Sequence, residues 1–131
     1  MKYEWIASMA TGDAEIDNAH RMLIQTINRL DDAVERGTEA AEVPGILSFL
    51  EAYAWRHFSH EEGCFLRHQC PAAETNQKAH AGFIERLTRL RDDMEREGVT
   101  PERVAVLHKT LGDWLVNHIL RVDTELSRST A

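Results

Sequence analysis

The sequence predicts an all-α protein, an up-and-down antiparallel four-helix bundle with an N-terminal arm. Three observations carry that expectation. Apolar residues recur in steps of three and four along four long segments, no segment alternates with a period of two over a useful length, and the connections between the segments are short. A length of 131 residues suits a single domain spanning 1–131, with one core and no room for a second of similar size.

Residues 1–15 have no clear periodicity and form the arm. Helix one, over 17–36, carries Ile16, Leu23, Ile27, Leu30 and Val34 on one face and stops at Gly37. Helix two, over 44–69, starts at Pro44, where a missing N–H costs nothing, and buries Ile46, Leu50, Tyr53, Ala54, Phe58 and Phe65. Helix three, over 73–97, follows Pro71, carries Phe83, Ile84, Leu87, Leu90 and Met94, and ends before Gly98. Helix four, over 101–127, opens with Thr100 as N-cap, Pro101 and an acidic Glu102, and carries Val104, Leu107, Leu111, Leu115, Ile119, Val122 and Leu126.

Charge and composition exclude several functions. Fifteen Lys and Arg against 22 Asp and Glu give a formal charge of -7, which removes the electrostatic source for gripping a nucleic-acid backbone or an anionic membrane. No apolar run is long enough to span a bilayer, and residues Met1 to Trp5 lack the layout of a signal peptide, so a cytoplasmic location is expected. Cys64 and Cys70 lie six residues apart in one helical segment and read as reduced, buried thiols. Gly-rich phosphate loops, Glu-x2-His pairs and His-Glu-x2-His are absent.

The informative residues are polar ones on the apolar stripes. His20 precedes Leu23 on helix one, His57 and Glu61 interrupt the helix-two stripe, His80 precedes Phe83 on helix three, and His118 falls between Leu115 and Ile119 on helix four, with Asp123 beyond. A buried ionised carboxylate costs several kcal/mol unless something positive meets it. A metal ion removes that cost. His57 and Glu61 are one turn apart and can share a centre, whereas His118 and Asp123, five apart, point about 140° from one another on an α-helix. That separation suits ligands reaching a site from two sides and suggests more than one metal. Imidazole with carboxylate favours iron, manganese or zinc. A single core histidine is more often a hydrogen-bonded structural residue, but six ligand-type residues on the inner stripes of all four helices argue against that here. His60, three past His57, is expected to face outward, and His108 lies about 15 Å of helix from His118.

At these residues the chain resembles the bacterial hemerythrins, from Trp5 to Leu126. The matching segments are Ile16-Asp17-Asn18-Ala19-His20-Arg21, Phe49 to Tyr53 leading into His57-Phe58-Ser59-His60-Glu61-Glu62, His80-x2-Phe83, and Asp113-Trp114-Leu115-Val116-Asn117-His118-Ile119 with Asp123. The resemblance implies a bundle holding two iron ions (Fe2+/Fe3+) with an oxo or hydroxo bridge, which binds O2 reversibly. It implies that His20 and His57 end the iron with the open O2 position, that His80 and His118 serve the other iron, and that Glu61 and Asp123 bridge the two. Leu23, Phe58 and Leu115 match pocket-lining positions, and Phe65 stands where a methionine is common.

One departure matters. The family's third-helix pattern is His-x3-His, and here its first position is Asn76. Water hydrogen-bonded to Asn76, or an open position, is expected there ahead of direct ligation by the amide oxygen, a weak ligand. A site short of one imidazole should oxidise more readily. The function the resemblance implies is O2 binding for carriage, storage or supply, rather than turnover, with O2 or another diatomic molecule as ligand, while readier oxidation makes stable storage less secure. The alternatives are a sensor of O2, NO or redox state, or an enzyme acting on peroxide or NO. A signalling or oxygen-consuming protein is the expected partner; nucleic acid and membrane are not.

Overall fold

In the computed structural model, which describes residues 2–126, Asp13 opens the first helix by accepting a hydrogen bond from the Ile16 N–H at 3.0 Å. Helix α1 therefore runs Ala14–Arg36, starting three residues earlier than the apolar pattern alone suggests. It ends at Gly37, whose φ of 71° is the left-handed conformation that glycine adopts without a side-chain penalty. Helix α2 spans Glu39–Arg67 and corrects the expected start at Pro44. Pro44 lies inside it as the sixth residue and removes one N–H from the ladder. The preceding turn is held by Arg36, which donates to Glu42 at 2.8 Å, by the Thr38 hydroxyl, which also donates to Glu42, and by the Ala41 and Glu42 N–H groups, which donate to Thr38 O. Local capping outweighs the lost bond.

Helix α3 spans Ala73–Glu97 and helix α4 spans Pro101–His118, the latter capped by Thr100, which accepts from Arg103 N at 3.2 Å. The expected continuation of helix four to residue 127, which itself lies outside the described residues, is broken. From Ile119 to Asp123 the backbone forms a π-helical turn, and Thr124 N donates to Ile119 O five residues back at 3.1 Å.

Helix α1 packs against α2 and α4, and α3 packs against the same two from the opposite side, giving the four-helix bundle. The main core contains Leu23, Ile27 and Leu30 of α1, Leu47 and Leu50 of α2, Phe83 and Leu87 of α3, and Leu107, Leu111 and Leu115 of α4, each worth about 1.5–3 kcal/mol on burial. A second, smaller cluster of Ile16, Cys64, Phe65, Cys70 and Leu126 forms near one end. Between the two clusters runs a polar layer. His20 falls between Ile16 and Leu23, Glu61 between Phe58 and Cys64, and Asp123 between Ile119 and Leu126.

The arm lies along α1 and α4. Tyr3 exchanges backbone hydrogen bonds with the Asn28 side chain at 2.9 and 2.7 Å, and its hydroxyl donates to Asp113 at 2.7 Å. Arg21 covers the Trp5 ring at 4.0 Å, and a 3-10 turn over Ala7–Met9 buries Met9. Among the described residues no helix is long and apolar enough to cross a membrane.

Candidate metal centre

The polar layer is a cage of nitrogen and oxygen donors. His20, His57, Glu61, Asn76, His80, His118 and Asp123 are all buried, none more than 6% exposed. Four helical segments and the π turn contribute them, so their convergence depends on the bundle and not on any one element.

The two carboxylates are shared between two groups of donors. Glu61 Oε2 lies 3.0 Å from His20 Nε2 and 3.2 Å from His57 Nε2, while its Oε1 lies 2.9 Å from His80 Nε2. Asp123 Oδ2 lies 3.1 Å from His20 Nε2, and its Oδ1 lies 3.0 Å from His118 Nε2. Each carboxylate thus presents one oxygen to each group. One group is His20, His57 and Glu61; the other is Glu61, His80, His118 and Asp123.

The pairing of His118 with Asp123 depends on the π turn. On a regular α-helix these side chains would diverge by about 140°. The wider turn absorbs one extra residue and brings Asp123 back to the face of His118, which corrects the reading that the two approach from opposite sides.

Asn76 occupies the third-imidazole position. Its inward amide atom lies 2.9 Å from both His80 Nε2 and His118 Nε2, 3.0 Å from Asp123 Oδ1 and 3.2 Å from Glu61 Oε1. Against those neighbours alone, the NH2 group fits best, because its two N–H bonds face acceptors there. Against a cation held by the same atoms, the carbonyl oxygen fits instead. His68, exposed beyond the end of α2, belongs to neither donor group.

Electrostatics follow from this packing. Burial opposes charge on Glu61, but His20, and then the nearby His57 ring and His80, outweigh it and hold its carboxyl well below the usual range. Burial likewise opposes charge on His20, but the carboxylates of Asp123 and Glu61 raise its pKa to about 9. His80 is raised for the same reason, by Glu61 and Glu62 against burial. Among the described residues, the ion pairs of Glu61 and Asp123 are all to histidines, and none is to a lysine or arginine.

The cage fits a metal on its own chemistry. His57 Nε2 sits close to Glu61 but is not aligned to bond with it, and His57 Nδ1 and His20 Nδ1 also lack hydrogen-bond partners. Of these, the inward His57 Nε2 is costly as it stands and is satisfied when a cation takes its lone pair. Imidazole, carboxylate and amide form a donor set suited to iron, manganese or zinc.

Several contacts escape stripe reasoning. Glu62 Oε2 lies 2.9 Å from His80 Nδ1, fixing the ring so that Nε2 faces inward. Glu62 is one residue off the buried stripe, and only the outward nitrogen of His80 calls for it. Phe58 stacks on His80 at 3.8 Å, and Trp114, one turn before His118, stacks on that ring at 4.6 Å. Leu23, Phe58 and Leu115 lie together in the main core, whereas Phe65 packs in the smaller cluster. His108 is buried away from the centre, against Tyr3 and 3.4 Å from Asn28 Oδ1. A cleft of about 480 Å³, lined by Glu15, Asn18, Ala19, Tyr53, Arg56 and His60, reaches His57 from outside.

A helical bundle with imidazoles and carboxylates converging between two apolar clusters defines a class, that of bundle proteins with a buried nitrogen and oxygen donor cage. The comparisons with known proteins narrow it. The model of the hemerythrin HHE cation binding domain matches residues 11–128. Bacteriohemerythrins of Pseudomonas aeruginosa (strains LESB58 and UCBPP-PA14) and of Pseudomonas paraeruginosa (strain DSM 24068 / PA7) are 31% identical over 120 residues, covering 91% of this chain and 75% of each relative. The chain belongs to the hemerythrin family, whose members bind non-haem iron.

Proposed function

We propose that this protein binds O2 reversibly at a pair of iron ions. His20 and His57 would hold one ion, His80 and His118 would hold the other, and Glu61 and Asp123 would serve both. The observation that carries this reading is the division of each carboxylate between the two donor groups, at 2.9 to 3.2 Å from the imidazoles on either side. One ion would use one oxygen of each acid; two ions use all four.

The iron pair supplies the electrons that O2 binding requires. The chain's own residues decide what reaches it and how long it stays reduced. Leu23, Phe58 and Leu115 withhold water and stray protons from one side, which favours release of O2 over oxidation of the metal. Glu62 holds His80 with its inward nitrogen free. Asn76, standing where the third imidazole would be, would offer a bound cation a hydrogen-bonded water or its own amide oxygen, and would hold the His80 and His118 side more weakly than a histidine.

A second reading, a sensor of O2, NO or redox state, is favoured by two observations. Asn76 weakens one half of the cage, and the cleft that reaches His57 opens to solvent between Glu15, Arg56 and His60. Both promote oxidation and access by small ligands. The test common to both readings is a spectrum of the anaerobically reduced, iron-loaded protein. A visible absorption change on adding O2 that reverses when O2 is removed supports the binder. Immediate and irreversible oxidation supports the sensor. No response to O2 contradicts both.

A further inference from the structure

A second cluster of donors lies outside the cage, where the start of α1 meets α2. We propose that Asp13, Glu15, His60 and Cys64 form a separate site for a borderline-soft divalent cation, Zn2+ above all. This inference does not rest on the proposed O2 chemistry, because none of the four residues belongs to the iron cage.

His60 and Cys64 are four residues apart on α2, so their side chains project from one face a single turn apart. Their donor atoms, His60 Nε2 and Cys64 Sγ, lie 3.6 Å apart, and Glu15 Oε2 lies 3.4 Å from the same nitrogen. Donor atoms of Asp13, His60 and Cys64 all fall within 4.8 Å of one another. Tetrahedral zinc, with bonds of roughly 2.3 Å to sulfur and roughly 2.0–2.2 Å to nitrogen or oxygen, requires ligand-to-ligand edges of about 3.4–3.6 Å. The two measured edges match, and Glu15, which is exposed and lies outside the compact group of Asp13, His60 and Cys64, closes in as the fourth ligand. The remaining ligand has room to adjust, because Asp13 caps α1 with only one of its two carboxylate oxygens.

The chemistry is also complementary. Burial keeps the Cys64 thiol protonated until a cation arrives; on binding, the sulfur gives up its proton to solvent, and the thiolate with one imidazole and two carboxylates forms the mixed sulfur, nitrogen and oxygen set that selects zinc over calcium or magnesium. One group competes for the sulfur: Arg67 Nη2 donates to Cys64 Sγ at 3.0 Å. Arg67 is exposed and can turn to solvent, and the arriving cation takes over its role of facing the sulfur. A path for the cation exists, since Glu15 is exposed, the His60 side chain is one-third exposed, and both line the open cleft over His57.

Cobalt(II) added to the iron-loaded protein is the direct probe, because a thiolate-to-cobalt charge-transfer band reports sulfur ligation and the iron cage offers only nitrogen and oxygen. One equivalent per chain should produce the band, and Zn2+ should abolish it by displacement. Cys64→Ser should remove the band, and His60→Ala should weaken binding about tenfold or more. Cys70→Ser should leave the band intact, and Arg67→Ala should tighten binding by removing the competitor. Circular dichroism of each variant checks that the bundle is retained. Absence of the band in the wild-type protein overturns the proposal, as does its persistence in Cys64→Ser or its loss in Cys70→Ser. Failure of the iron cage to bind O2 would leave this result untouched.

Discussion

Asn76 is the residue on which this centre departs most from an all-imidazole arrangement. A neutral amide, 2.9 Å from two imidazole nitrogens and about as close to both carboxylates, can serve as donor or ligand, but it holds iron less firmly than histidine. Asn76→His should therefore retain iron longer against a chelator, by about tenfold, and slow oxidation of the reduced protein. Stopped-flow chelation and the decay of the O2-dependent spectrum measure the two effects, and unchanged rates would contradict the role given to Asn76. Glu62 acts through His80. Removing its carboxylate in Glu62→Ala frees the His80 ring to turn, and affinity for iron should fall about 10- to 100-fold, as read by competitive titration with a chelator of known strength. Glu62→Gln, which keeps an oxygen acceptor for the Nδ1–H, should recover much of that loss.

At the scale of elements, the arm is held chiefly through Tyr3. Gly112 of α4 faces the Tyr3 ring so closely that an added Cβ would lie 2.0 to 2.6 Å from ring carbons, so Gly112→Ala should push the ring out and destabilise the protein by about 1–3 kcal/mol in a denaturant titration. The Tyr3 to Asp113 hydrogen bond has a definite pH window. Burial, with help from that bond, raises the Tyr3 hydroxyl from 10.0 to about 12, so its contribution is complete below pH 10 and is lost as pH rises towards 12. The same bond, with Lys109, lowers Asp113 from 3.8, so its contribution is present above that pH and is lost as pH falls through the lowered value. The difference in Tm between wild-type protein and Tyr3→Phe should therefore be flat between about pH 4 and pH 10 and shrink outside it; variation near pH 7 would contradict this. The elements also explain what the sequence conveys. Steps of three and four put His20, His57, Glu61 and His80 on buried stripes, and those positions are readable without coordinates. The convergence of His118 with Asp123 is not, because a π turn leaves no periodic signature and straight helical phasing separates the two. The start of α2 before Pro44 is hidden for a related reason: Arg36, Thr38 and Glu42 form the capping contacts that offset one missing N–H, and proline read alone suggests a boundary.

For the whole molecule, the cost lies in placing two carboxylates between apolar clusters. Among the described residues the ion pairs of those acids are with imidazoles, and no lysine or arginine meets them, so a bound cation is worth more to the folded state than it would be at a surface. Each iron present at 1,000 times its dissociation constant would stabilise the bundle by about 4 kcal/mol, which for a chain of this size corresponds to a rise in Tm on the order of 10 °C per ion. Scanning calorimetry of the metal-free and iron-loaded forms measures that difference. The most direct test of the account is anaerobic titration of Fe2+ into metal-free protein, counting ions per chain, in the wild type and in a double variant carrying Glu61→Gln and Asp123→Asn. The account predicts about two irons per wild-type chain and none held tightly by the double variant. A single iron, or two irons retained by the double variant, would contradict it.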